Sequence, residues 1–115
     1  EKENQLEFKT PVFPFFNLLD NKYVALYGGG ALGQSYRRQI LQTKACFLEV
    51  WVDKNWAYRR REGWDIYPAE DLKKETYDYI VVAAFGSEEA ACITYELCEL
   101  GISEEKILWR EPLML

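Results

Sequence analysis

The sequence predicts a three-layer α/β fold built on a five-stranded parallel sheet in the order 3-2-1-4-5. Three observations predict it. Apolar runs rich in β-formers recur along the chain: KYVALYG (22–28), CFLEVWVD (46–53) and YDYIVVAAF (77–85). Helical spacing separates them. The first run ends in a glycine-rich turn, GGGALG, that opens directly into a helix.

Residues 1–10, EKENQLEFKT, are polar and without period, and read as linker. PVFPFFNLLD follows; Pro11 and Pro14 block a regular helix, so Phe13, Phe15 and Phe16 are expected in an irregular segment packed on a domain edge. This divides the chain into an N-terminal linker and edge segment, 1–20, and a single domain, 21–115. The 22–28 run is a buried first strand. Leu32, Tyr36, Ile40 and Leu41 then fall at helical spacing, with Gln34, Arg37, Arg38 and Gln42 between them, an amphipathic helix of about three turns. CFLEVWVD is the second strand. Asn55 to Gly63 reads as a short helix or a loop, WDIYP (64–68) as at most a short third strand, and AEDLKKE as a helical turn or two. YDYIVVAAF is the fourth strand. In the helix over 87–101, Ser87 suits the N-cap, Glu88 and Glu89 the positive end of the dipole, and Gly101 the C′ position. Lys106–Trp109 is the fifth strand. This order of elements is that of a small Rossmann-like fold.

Composition excludes several function classes. With 115 residues, 49% hydrophobic and 16% aromatic, the chain has material for one core. A net charge of −5 argues against nucleic acid or an anionic membrane as partner, and Arg59-Arg60-Arg61 is too short a basic run to change that. No apolar run approaches the roughly 18 residues of a membrane span. Cys46, Cys92 and Cys98 have neither zinc nor redox spacing and read as buried small hydrophobes in a reducing cytoplasm, the expected location. A start at Glu1 reads as a mature fragment or a piece of something longer.

Gly28, Gly30 and Gly33 form G-x-G-x-x-G. Gly28 would let the chain turn sharply off the first strand, Gly30 would let a pyrophosphate approach the backbone, and Gly33 would let helix and strand lie close. The N–H groups of Ala31, Leu32 and Gly33 would then face the phosphate, helped by the helix dipole. Gly29 adds a position with no side chain to meet a ligand. Asp53, 20 residues after Gly33, ends the second strand, where a carboxylate accepts hydrogen bonds from a ribose; it would also repel a 2′-phosphate, favouring NAD over NADP, a preference that Lys54 blurs. Ala84 and Phe85, at the end of the fourth strand, complete the expected cofactor site. The competing reading is that the glycines only permit close packing and that Asp53 caps a turn.

FPFFNLL, VALYGGGALGQSYRRQI, VWVDKNW, YDYIVVAAF and LGISEEKIL together resemble a small Rossmann module of bacterial surface-polysaccharide biosynthesis, found with glycosyltransferases and methyltransferases, and similar to the nucleotide-binding part of nucleoside-diphosphate-sugar epimerases and dehydratases. The resemblance implies a nucleotide ligand: NAD or NADP, with coenzyme A or a nucleotide sugar as alternatives. It implies a fused or separate glycosyltransferase or methyltransferase partner, and allows a homodimer. It does not supply a reaction.

No tyrosine has a lysine four residues on, and the chain has no histidine, so the epimerase base and the Ser-His-Asp arrangement are both missing. Glu70 and Asp71 fit a solvated helix start. Ser87 and Glu88 would touch a ribose or nicotinamide, or simply cap their helix. The expectation is a nucleotide-binding module that is not catalytic on its own. The alternatives are a ligand-free docking domain using Trp56, Tyr58 and Trp64, and the cofactor-binding fragment of a nucleotide-sugar enzyme.

Overall fold

The structure, a computed structural model, describes residues 9–115. All of the expected linker but Lys9 and Thr10 lies outside the described residues. In chain order the elements are β1 (Pro11–Val12), β2 (Tyr23–Tyr27), α1 (Ala31–Thr43), β3 (Phe47–Val52), α2 (Trp56–Arg61), β4 (Tyr79–Val82), α3 (Ser87–Glu99), β5 (Ile107–Leu108) and β6 (Leu113–Met114). Single 3-10 turns cover Ala69–Lys73 and Glu104–Lys106.

The expected five-stranded sheet of order 3-2-1-4-5 is corrected to two sheets. The main sheet has four parallel strands in the order β3-β2-β4-β5, and β1 and β6 form a separate antiparallel pair. The missing strand is WDIYP. It makes one parallel bridge, Val52 opposite Tyr67, in which Tyr67 N–H donates to Trp51 O (2.9 Å) and Asp53 N–H to Tyr67 O (3.1 Å). Pro68 follows at once. It has no N–H to continue a ladder, and the chain enters the 3-10 turn at Ala69. The Trp64 ring meanwhile packs edge-on against Trp51, 5.6 Å between centroids.

β2 is central, and its alternation sorts two cores. Val24 and Leu26 face Leu32, Tyr36 and Ile40 of α1, with Trp51, Ile66 and Val81. Ala25 and Tyr27 face Ala90 and Leu97 of α3, with Val52, Ile80 and Val82. The two long helices thus cover opposite faces. The β2–β3 register shifts between Val24 and Ala25, which sets Glu49 aside as the extra residue and keeps it in solvent. Leu41, expected on the buried face of α1, is half exposed.

The N-terminal aromatics are held by α1. Phe13 meets Phe15, Phe16 and Tyr36 edge-to-face at 5.5–5.9 Å. The Gln39 amide staples this irregular segment: it donates to Pro11 O (2.8 Å) and accepts from Phe13 N–H (2.8 Å). At the other end of α3, Gly101 N–H donates to Cys98 O and Ile102 N–H to Leu97 O, with Gly101 at φ +96°, so the expected glycine stop is a Schellman turn. The residue capping the N-terminus of α3 is Gly86, with Ser87 already inside the helix. Among the described residues, no helix is long and apolar enough to cross a membrane.

Candidate functional site

The C-terminal ends of β2, β3 and β4 lie side by side, so the residues that follow them share one edge of the sheet. The ladder carries on into the turn. Gly28 N–H donates to Val52 O (2.9 Å) and Ala83 N–H to Tyr27 O (2.8 Å), which clamps Gly28 between its two neighbouring strands. Gly28 has φ +131°, and a Cβ there would stand 3.0 Å from Ala83 Cβ. A Cβ on Gly33 would overlap the Gly28 carbonyl oxygen and lie 2.6 Å from its carbonyl carbon. Helix α1 can start this close to β2 because position 33 has no side chain.

Two side chains fix the turn further. The Trp51 indole donates to Gly28 O at 2.6 Å, and Gln34 Nε2 donates to Gly29 O at 3.0 Å. Trp51 is itself covered by the Arg37 guanidinium, 5.1 Å above its ring. Sequence reading did not place Trp51 in the site, because an aromatic near the end of a strand carries no spacing signal of its own. The carbonyls of the turn are thereby engaged on the α1 side. The amides of Ala31, Leu32 and Gly33 begin α1 with no side-chain cap, because the N-cap residue is Gly30.

All of the expected cofactor residues line one cleft of about 440 Å³: Gly28, Gly29, Gly30, Ala31, Leu32, Gly33, Asp53, Lys54, Ala84 and Phe85. Ala84 is held there by Trp109, whose indole donates to its carbonyl at 2.8 Å. The opposite wall is α3, through Glu89, Cys92, Ile93 and Glu96; of the three cysteines expected to be buried only Cys46 is, Cys98 being partly covered and Cys92 exposed. Lys54 reaches across to Glu96 (3.5 Å). Ser87 is not part of this cleft; it lines a separate groove with Thr94, Tyr95 and Trp109.

Gly29 differs from its expected role. A Cβ there would meet Asp53 Oδ2 at 2.7 Å and Ile66 Cδ1 at 2.9 Å, so its lack of a side chain makes room for Asp53 rather than for a ligand. At Gly30 the nearest atom to a Cβ would be Arg59 Nη2, at 3.7 Å, an ordinary contact, which leaves the backbone approachable. Asp53 is 13% exposed, with Oδ2 3.8 Å from Arg59 Nε. Arg59 belongs to the cleft and was missed because it read only as part of a short basic run; it comes from α2, whose helix turns one of the three arginines inward.

Tyr27 closes the floor. Burial, then the charges of Glu96, Asp53 and Glu70, push its phenol up to about 12, so near neutral pH it is a hydrogen-bond donor and never a phenolate base. Of the three aromatics in the alternative docking reading, Trp64 packs on Trp51, Trp56 lies under Arg60 (4.9 Å), and Tyr58 stands well exposed. Among the described residues no group of three or more acidic or cysteine side chains is placed to hold a metal ion.

A model of the family described as C2185-like, N-terminal, matches residues 20–108. The chain belongs to that family. The matched stretch of this C2185-like domain takes in the whole four-stranded sheet and every cleft residue, and leaves β1 and β6 outside it. No curated protein matches the chain.

Proposed function

We propose that this domain binds a nucleotide, with NAD(H) as the ligand, and does not transform it by itself. One observation carries the reading. Three separated stretches, chosen for the chemistry of a dinucleotide site, converge on one cleft at the C-terminal edge of a parallel sheet. The cleft fits the parts of such a ligand. A pyrophosphate has the open side of Gly30, where a Cβ would meet nothing closer than Arg59 Nη2 at 3.7 Å, and an uncapped helix start beside it. A ribose has the Asp53 carboxylate one strand away. NAD(H), when bound, would supply a hydride donor or acceptor; Gly30, Ala31, Leu32 and Asp53 would hold and orient it.

In its working context the domain would regulate, or lend its cofactor to, a glycosyltransferase or methyltransferase domain of bacterial surface-glycan synthesis. The resemblance of the GGGALG and VWVDKNW stretches supports that part of the proposal. The test is calorimetric titration of NAD(H), NADP, coenzyme A and nucleotide sugars into wild type and Gly30→Arg. The new side chain would fill the approach to the turn. Binding of NAD(H) by wild type and its loss in Gly30→Arg is expected; equal binding by both proteins would put the ligand elsewhere.

A further inference from the structure

We propose that Arg59 exchanges partners when ligand binds: its guanidinium leaves Asp53 for a nucleotide's 5′-diphosphate, and the freed Asp53 carboxylate takes the ribose hydroxyls. The inference rests on the nucleotide reading above and adds to it a coupling between the two halves of the ligand.

Four features of Arg59 carry it. Its side chain lies across the glycine turn, with Nη2 nearest the open side of Gly30 and Cγ over Gly29. Its Nη1 donates to Glu62 (3.2 Å), which anchors one end of the fork. Its Nε is buried and finds no hydrogen-bond acceptor among the described residues. Asp53 Oδ2 lies 3.8 Å from that Nε, an ion-pair distance that is too long for a hydrogen bond. A guanidinium has five donors in a rigid plane, and leaving one buried without an acceptor is costly. A phosphate oxygen above Gly30 would reach Nη2 on one side and the amides of Ala31 and Leu32, at the start of α1, on the other, and a small rotation of the fork would bring Nε to the same group.

The consequence is opposite for the two carboxylate states. Without phosphate, Arg59 stays beside Asp53 as its counter-charge at 3.8 Å and crowds the approach of ribose hydroxyls to that carboxylate. With phosphate, that crowding ends. A nucleoside therefore binds a site that Arg59 obstructs, and a nucleotide binds one that Arg59 completes.

The experiment compares ADP, adenosine and 2′-AMP, each titrated calorimetrically into wild type, Arg59→Gln and Arg59→Lys. Alkylation of Cys92, which lines the cleft, is followed in parallel in a Cys98→Ser background. Arg59→Gln is expected to weaken ADP by about 10- to 100-fold, the scale of a lost charge-assisted hydrogen bond, while adenosine binds as well as before or better. Arg59→Lys keeps the charge without the fork and should fall between, which also guards against a fold defect in the glutamine variant. Equal weakening of ADP and adenosine would overturn the exchange and leave Arg59 a structural residue. Loss of 2′-AMP with ADP unchanged would also overturn it, placing the recognised phosphate on the ribose. If ADP binds wild type and Arg59→Gln alike, the exchange fails while the nucleotide reading stands. If ADP neither binds wild type nor protects Cys92, both fail.

Discussion

Replacing Gly33 by alanine tests the turn at its tightest point. The added methyl would overlap the Gly28 carbonyl oxygen, and the atoms it meets are backbone, which cannot swing aside as a flexible side chain would. α1 cannot slide away freely, because Tyr36 and Ile40 are each 1% exposed in the core beneath it. Gly28 cannot retreat without giving up its bonds to Val52 and to the Trp51 indole. Overpacking of this kind costs about 1–3 kcal/mol, and loss of the Trp51 hydrogen bond adds about 1 kcal/mol. The total of roughly 2–4 kcal/mol, at about 4 °C per kcal/mol for a domain of this size, lowers the midpoint of unfolding by about 10 °C. Thermal denaturation followed by circular dichroism measures it. Gly30→Ala is the control: its methyl meets nothing closer than Arg59 Nη2, so its cost stays within about 1 kcal/mol, the scale of an N-cap change. An unchanged midpoint for Gly33→Ala would refute the close approach of α1 to β2.

Trp51→Phe removes the indole donor from Gly28 O and should cost about 1–3 kcal/mol, read as a lower denaturant midpoint; unchanged stability would mean the turn does not depend on it. Tyr36→Phe should be neutral or stabilising by about 1 kcal/mol, because the Tyr36 hydroxyl is buried with no hydrogen-bond partner among the described residues; clear destabilisation would contradict this. Burial pushes the Tyr36 phenol up to about 12 and the Cys46 thiol up to about 11, and Tyr27 likewise reaches about 12. The folded chain therefore holds these protons more tightly than the unfolded chain does. Their contribution is fully present below the unfolded values near 9–10 and is lost as pH rises to about 12, so stability should fall across that window, less steeply in Tyr36→Phe. A flat profile in denaturant titrations from pH 9 to 11.5 would count against it.

Three of the four parallel strands were legible because each holds a continuous apolar run with a glycine or an aspartate soon after it: YVALY before Gly28, VWV before Asp53, and YIVV four residues ahead of Gly86. Burial on both faces leaves no alternation to misread. The third strand was overread because Ile66 and Tyr67 have β character, but Pro68 leaves room for one bridge and no ladder. The β1–β6 pair was missed because two-residue strands from opposite ends of the chain carry no period, and Pro11 speaks against a strand until its position at an edge is known. At the site, the glycines and Asp53 announced themselves by spacing. Arg59 and Trp51 did not, because their roles depend on which way a short helix and a strand end turn in three dimensions, and the local pattern around each suits a surface arginine and a core aromatic equally well.

The most direct measurement is an amide chemical-shift titration of the isotopically labelled domain with NAD(H). The account predicts saturable shifts concentrated at Gly30, Ala31, Leu32 and Gly33, with Asp53 and Arg59 following, and none of comparable size in the Ser87–Thr94–Trp109 groove. Shifts confined to that groove, or no saturable shift at the turn, would contradict it.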